Sequence, residues 1–236
     1  MTCLIGTSGW SYRHWRGIFY PPELRPGKWL EFYQQKFDTV EINSSFYRLP
    51  TEATFVNWAN RSKENFVFAV KASRFITHVK RLKEPEESVR LFLDRANQLG
   101  DKLGPILFQL PPGFSANPAR LEAILQLKPE HQRWAFEFRD PSWFIPEVYR
   151  ILERYGAAFC IYHLAGRDCP LAVTADWVYL RFHGDWYTTR YSLEELEVWA
   201  GRLQRWLNEG RDCFAYFNND TAGYAIQNAQ ELIRLL

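Results

Sequence analysis

Residues 3–10 read CLIGTSGW. The first four are a short strand-forming run, and the turn that follows decides between two α/β folds. A doubly wound open sheet commonly sends its first strand into a glycine-rich turn that cradles a phosphate, with an acidic residue further on to hold a ribose. Residues 6–10, GTSGW, carry one glycine too few, and no acidic partner is placed to hold a ribose. Outward from this stretch the same rhythm recurs. Strand-like runs rich in β-branched and aromatic residues stand at 3–6 (CLIG), 39–43 (TVEIN), 66–71 (FVFAVK), 105–110 (PILFQL), 133–138 (RWAFEF), 158–162 (AFCIY), 177–182 (WVYLRF) and 212–217 (DCFAYF). Longer amphipathic stretches separate them, which is the mark of βα units and a parallel sheet. Eight such units predict a single domain, residues 1–236, folded as a closed (β/α)8 TIM-like barrel.

The helices carry their own punctuation. Residues 85–99 open on Pro85 and stop at Gly100; residues 118–127 open on Asn117-Pro118, a cap followed by a first-turn proline. Ser192 and Glu195 form a capping box ahead of an apolar face made by Leu196, Trp199, Ala200, Leu203 and Leu207. Weaker helical patterns lie at 27–36, 51–62, 146–154 and 223–235. Only residues 163–176 remain between the sixth and seventh strands, with Gly166 and Pro170 inside, so helix six is expected to be missing or vestigial.

Composition bounds the function. Hydrophobic residues make up 47% and aromatic residues 17% of the chain, which excludes a disordered protein. A chain this long buries roughly 70–75% of its unfolded surface. The net charge of +2 does not announce a nucleic-acid binder, although a local basic groove remains compatible with it. Cys3, Cys160, Cys169 and Cys213 form no C-x-x-C pair and read as small buried hydrophobes, so a reducing cytoplasm is expected. No secretory signal pattern opens the sequence, and no apolar run approaches the roughly 20 residues of a membrane span.

Strand side chains alternate between two faces, so parity places the polar groups. Val40 and Ile42 are expected to face the helices, leaving Glu41 and Asn43 inside. The same alternation groups Ala69 with Lys71, Leu107 with Gln109, Glu137 with Arg139, Tyr179 with Arg181 and His183, and Tyr216 with Asn218 and Asp220. Each series begins apolar or small and ends polar. Glu41, Lys71, Gln109, Glu137, Arg139, Arg181 and Asn218 are therefore expected around one mouth, at the end where barrel enzymes keep their sites. A ligand site and a structural ion network that plugs the barrel are the two readings of this ring, because buried charges must be paired either way.

Seven runs also resemble one family. Residues 6–20 (GTSGWSYRHWRGIFY), 39–50 (TVEINSSFYRLP), 66–78 (FVFAVKASRFITH), 104–112 (GPILFQLPP), 134–143 (WAFEFRDPSW), 177–184 (WVYLRFHG) and 214–220 (FAYFNND) are similar, in order, to the YecE-like family, domain of unknown function seventy-two. The resemblance spans nearly the whole chain. It implies a TIM-like barrel and no established activity. On matching motif positions it points to Trp10, Glu41, Asn43, Tyr47, Lys71, His78, Gln109, Glu137, Arg139, Trp143, His183 and Asn218. This sequence has Asp140 before Pro141 where the fifth motif commonly carries a histidine.

The chemistry that follows is an enzyme, a hydrolase or transferase, acting on a small hydroxyl-rich or phosphorylated ligand without a cofactor. Glu41 and Glu137 are the expected acid/base pair, since two carboxylates across a sugar ring are the usual glycosidase equipment. Glu41, beside Lys71, takes the ionised role and Glu137 the acid role, the alternative being that Arg139, two residues on with the same parity, holds Glu137 ionised. Trp10, Asn43, Tyr47, His78, Gln109, Arg139, Trp143, Arg181, His183 and Asn218 are the expected ligand contacts. Lys71 next to a glutamate reads first as its ion-pair partner, and second as a desolvated amine able to form a Schiff base. A metal-dependent phosphodiesterase resembling endonuclease IV would need clustered ligands. His78, His163 and His183 could stand near Glu41, Glu137 and Asp220, but no H-x-H or H-x-x-x-H spacing exists and the basic residues oppose a cation, so no metal is expected. The alternative from another class is single-stranded nucleic acid, held on a rim made by Arg13, His14, Arg16, Arg74, His78, Lys80, Arg81 and Lys83 with aromatics between them.

Overall fold

The computed structural model describes residues 1–185 and 187–236. Its sheet holds β1 (Cys3–Thr7), β2 (Thr39–Ile42), β3 (Val67–Lys71), β4 (Leu103–Leu110), β5 (Trp134–Phe138), β6 (Ala158–Leu164), β7 (Trp177–Gly184) and β8 (Asp212–Phe217). The helices of the described residues are α1 (Trp29–Tyr33), α2 (Ser44–Tyr47), α3 (Glu52–Arg61), α4 (Glu86–Ala96), α5 (Pro118–Leu125), α6 (Pro146–Arg154), α7 (Leu193–Asn208) and α8 (Tyr224–Arg234). The ladders are all parallel and run β1-β8-β7-β6-β5-β4-β3-β2. The expected barrel and its eight strands stand. No helix lies between β6 and β7. The connection is pinned instead by the Thr174 hydroxyl, which accepts from Phe159 N–H at 2.8 Å and donates to the Ala157 carbonyl at 2.7 Å.

Closure differs in one detail from an unbroken cylinder. Between β1 and β2 the ladder shrinks to a single bridge, Ser8 with Glu41. The Tyr33 hydroxyl fills the gap: it accepts from Thr7 N–H at 3.0 Å and donates to the Thr39 carbonyl at 3.1 Å. Gly6 is required here. A Cβ at that position would stand 2.3 Å from the Thr39 oxygen and 3.1 Å from the Tyr33 hydroxyl, so any side chain would push the seam apart.

Two layers of core follow from the alternation. Val40, Ile42, Val70, Phe108, Phe136, Phe138, Phe182 and Phe217 face outward into the helices. Ala69, Leu107, Ala135, Cys160, Tyr179, Phe214 and Tyr216 fill the barrel. Helix α7 shows how the outer layer is built. Its capping box forms with both hydrogen bonds present, and Leu196, Trp199, Ala200, Leu203 and Trp206 are its buried face. Trp199 meets Phe182 edge-on at 5.1 Å. Three local features depart from the expected pattern. Helix α4 ends at Ala96, and a 3-10 turn broken at Gly100 completes the segment. The four-residue helix α2 and a π-helical turn at Phe75–Val79 carry no periodicity that a sequence window could register. These two turns shape one wall of the mouth.

Candidate functional site

The floor of the mouth is a closed charge network. Arg181, 1% exposed, is its centre. Its Nη1 donates to Glu137 Oε2 at 2.7 Å and its Nη2 to Glu41 Oε1 at 2.8 Å. Glu41 also accepts from Ser8 Oγ at 2.7 Å and, on its other oxygen, from the Tyr179 hydroxyl at 2.7 Å. Arg139 Nε donates to Glu137 Oε1, and Arg139 Nη2 lies 2.8 Å from His183 Nε2. An arginine only donates, so Nε2 accepts from Arg139; the other ring nitrogen, Nδ1, lies 3.2 Å from Asn218 Nδ2. Two carboxylates thus face two guanidiniums. Burial alone would raise the Glu137 pKa, but Arg139 and Arg181 overcome it and hold the carboxyl well below the usual range. Burial, followed by Arg181, drives His183 well down, so its ring stays neutral.

This geometry corrects two expectations. Glu41 and Glu137 are fully buried, and their oxygens already meet donors from Ser8, Tyr179, Arg139 and Arg181. Glu137 therefore cannot hold a proton near neutral pH as the acid. Lys71 is not the partner of Glu41 either, because Arg181 occupies that place.

Above the floor opens a cavity of about 830 Å³, lined among others by Tyr47, Lys71, His78, Gln109, Asn218 and Asp220, with Arg181 at its base. The polar ends of β3, β4, β7 and β8 thus meet in one space, as their parity indicated. Lys71 is 8% exposed. Its Nζ donates to Gln109 Oε1 at 2.6 Å and sits 4.1 Å from the centre of the Phe46 ring. Among the described residues no carboxylate lies within ion-pair distance of it. Burial, then the positive Arg181, pushes its pKa down to about 7. His78, whose Nδ1 lies 2.9 Å from Thr77 Oγ1, is pushed to about 4 by burial and then by Lys71 and Arg74. Across the cavity Asp220 ties the loop after β8 to the loop after β1. Its Oδ1 accepts from Trp15 Nε1 at 2.7 Å, and His14 Nε2 lies 2.9 Å from Oδ2 and 3.0 Å from the Asp220 carbonyl. Burial raises this carboxyl to about 6 against both neighbours.

The other expected contacts fall elsewhere. Trp10 and Asn43 line a separate cavity of about 400 Å³ beside the β1–β2 seam, with Trp58 edge-on to Trp10 at 5.3 Å. Trp143 is fully buried, stacked on Phe138 at 4.7 Å, and its indole donates to the Phe114 carbonyl, so it is packing and not a ligand platform. Arg139 and His183 belong to the floor. Asp140 caps the turn at Pro141–Trp143, accepting from Ser142 N–H at 3.0 Å. His163 turns to Tyr191, 2.8 Å from its hydroxyl, and packs on Trp199, so the three histidines do not assemble. Among the described residues no three His, Cys, Asp or Glu side chains stand together as metal ligands. Sequence reasoning gave no role to Ser8, Tyr12 or Phe46. The parity of β1 (Leu4, Gly6, Ser8) held the signal for the first.

An eight-stranded α/β barrel with a charge-balanced floor and a polar mouth at one end defines the class of this molecule. A family model described as "Protein of unknown function DUF72" matches residues 4–236, and the chain belongs to that family. It is 28% identical to the UPF0759 protein YunF of Bacillus subtilis, over 98% of this chain and 94% of that one. It is 30% identical to the UPF0759 protein YecE of Escherichia coli over 59% of this chain and about half (49%) of that protein's length. A solved DUF72 family protein of Thermotoga maritima superposes with a TM-score of 0.90 at 29% identity, covering 100% of this chain and 99% of the other. One of Enterococcus faecalis does so with a TM-score of 0.86 at 20% identity, covering 100% and 95%, which speaks for the fold.

Proposed function

We propose that the mouth is the active site of an enzyme for a small hydroxyl-rich or phosphorylated ligand, and that Lys71 is the group that meets the ligand. The observation that supports this is the setting of Lys71: a buried amine open to a cavity, held by Gln109 and left without a carboxylate. The cationic form of such an amine attracts an anion strongly where water is sparse. Gln109, Asn218 and the exposed Tyr47 add donors and acceptors for hydroxyl groups. The Glu41–Arg181–Glu137 network gives the mouth a rigid base and is not assigned the acid/base step. We place the protein in a reducing cytoplasm, in keeping with four free thiols. Among the described residues no helix is long and apolar enough to cross a membrane.

Inorganic phosphate and a panel of sugar phosphates, scored by the shift in melting temperature near pH 6.5, test the reading. At least one is expected to stabilise the protein. Lys71→Met should weaken that ligand by about ten- to a hundredfold, as the loss of a charged hydrogen bond does. No shift from any member, or undiminished binding by the variant, would defeat it. Single-stranded nucleic acid is a second reading. Tyr47, Phe75 and Val79 are 79%, 50% and 62% exposed among Arg74, Lys80 and Arg81. Its test is an affinity that falls steeply with salt and flattens on replacing the three basic residues with alanine.

A further inference from the structure

We propose that Lys71 is a nucleophile that condenses with the carbonyl group of a hydroxylated aldehyde or ketone, forming an imine in the barrel mouth. The inference rests on the mouth being a ligand site and names the functional group of that ligand.

The chain has eight lysines, and Lys71 differs from the rest in its surroundings. Lys28, Lys63 and Lys83 face Glu31, Asp38 and Glu84. Lys102 is surrounded by the oxygens of Ala59 and Ser62, and Lys80 and Lys128 reach backbone carbonyls. Each of these amines thus meets a carboxylate or backbone oxygens, and Lys36 is exposed. Among the described residues Lys71 has a single acceptor, Gln109 Oε1. A neutral amine has two N–H bonds and one lone pair. The hydrogen bond to Gln109 uses one N–H, and the lone pair is left for the cavity.

Charge around the amine works in the same direction. Arg181 and Arg139 act on it from β7 and the end of β5, while His78 on the turn after β3 is neutral and adds no charge. Glu137 and Glu41 oppose them in part, each being ion-paired with a guanidinium, and burial with Arg181 outweighs them. The proton therefore leaves Lys71 at about pH 7. A free lysine is neutral in only about one molecule in 10³ at that pH.

The step balances without a cofactor. The Nζ lone pair forms a bond to the carbonyl carbon, and the π pair of C=O moves to oxygen. One proton passes from nitrogen to that oxygen, giving a carbinolamine. A second proton, supplied by an acid, converts the hydroxyl to water. Water leaves as the nitrogen lone pair forms C=N, so one amine, one carbonyl and one proton become an iminium ion and water. Bulk solvent supplies that proton through the open mouth, where Asp220, its carboxyl raised by burial to about 6, lines the same cavity. Gln109 is a positioning residue that holds the amine by its N–H.

The experiment uses the intact chain, glycolaldehyde at limiting concentration and cyanoborohydride at pH 7, followed by peptide mapping. Reduction fixes the imine as a secondary amine on whichever lysine formed it. Lys71 is expected to label at least about tenfold faster than any of the seven other lysines, in line with its larger neutral fraction. The selectivity should narrow as pH rises from 7 toward the ordinary lysine value of about 10.4. Lys71→Arg, with folding checked by its melting curve, should lose the fast site and keep the slow ones. Equal or slower labelling of Lys71 overturns the proposal. Slow labelling together with intact sugar-phosphate stabilisation rejects the imine and leaves the ligand site standing. Failure of both rejects the site itself.

Discussion

Arg181 in the floor of the mouth and Lys71 in its wall are both cations, 1% and 8% exposed, at the same end of the same barrel. The first touches two carboxylates at 2.7 and 2.8 Å. The second touches an amide oxygen and an aromatic ring. Desolvation acts on both, and only Arg181 recovers the loss through ion pairs. A buried charge that is paired contributes order to the fold. One left without a partner is kept at a cost in stability and stays available to something that arrives from outside. The contrast separates what holds the barrel together from what the barrel presents.

The strongest way to break this contrast is to remove Arg181. Arg181→Met takes the shared guanidinium from two buried carboxylates at once, leaving Glu137 with Arg139 and Glu41 with neutral donors, so stability at pH 7 should fall by about 5 kcal/mol, read from urea denaturation. A variant that unfolds at the wild-type urea concentration would show that the floor is not the structural half. Glu137→Gln sharpens the point with a smaller loss of about 3 kcal/mol. Its pH dependence is diagnostic. Folding lowers the Glu137 pKa from its usual 4.5, so the carboxylate stabilises the protein above that pH and loses its contribution as pH falls below it. The gap between wild type and variant should be full at pH 6 and shrink below about 4.5.

Lys71→Met should act with the opposite sign and least force. Folding lowers the lysine pKa from 10.5 to about 7, so the unfolded chain binds the extra proton between those values and the buried amine destabilises the fold most at pH 7 and below. The variant should therefore be more stable than wild type by about 1–3 kcal/mol at pH 7, with the gap narrowing as pH rises toward 10. Denaturant melts at pH 6.5, 8 and 9.5 check it. A loss of stability would move Lys71 into the structural half with Arg181.

The strand pattern made much of this legible. Period-2 alternation places Lys71, Gln109, Glu137, Arg181 and Asn218 inward, because a strand has only two faces. Who pairs with whom was not legible. Arg181 on β7 reaches Glu41 on β2 across the barrel interior, a contact set by strand tilt and stagger and not by neighbourhood in the sheet. The nearer pairing of Lys71 with Glu41 looked natural from β2 and β3 lying side by side, yet it does not form. Trp143 misled for a related reason: a loop aromatic reads the same whether it faces a ligand or, as here, stacks on Phe138.

The seam at Tyr33 also changes how the chain's route should be pictured. Seven ladders form one ribbon, and its two edges, β1 and β2, are consecutive in sequence. In space the ribbon runs β2 through β8 and then β1, so the amino-terminal strand is, topologically, the last one. A circular permutant cut in the loop between β1 and β2, ahead of Trp29, with the original ends joined, would carry its strands in the ribbon's own order. It would keep every ladder and both hydrogen bonds of the Tyr33 phenol. The natural chain instead closes its barrel between strands that are neighbours in sequence, and a single phenol does the work of the missing ladder.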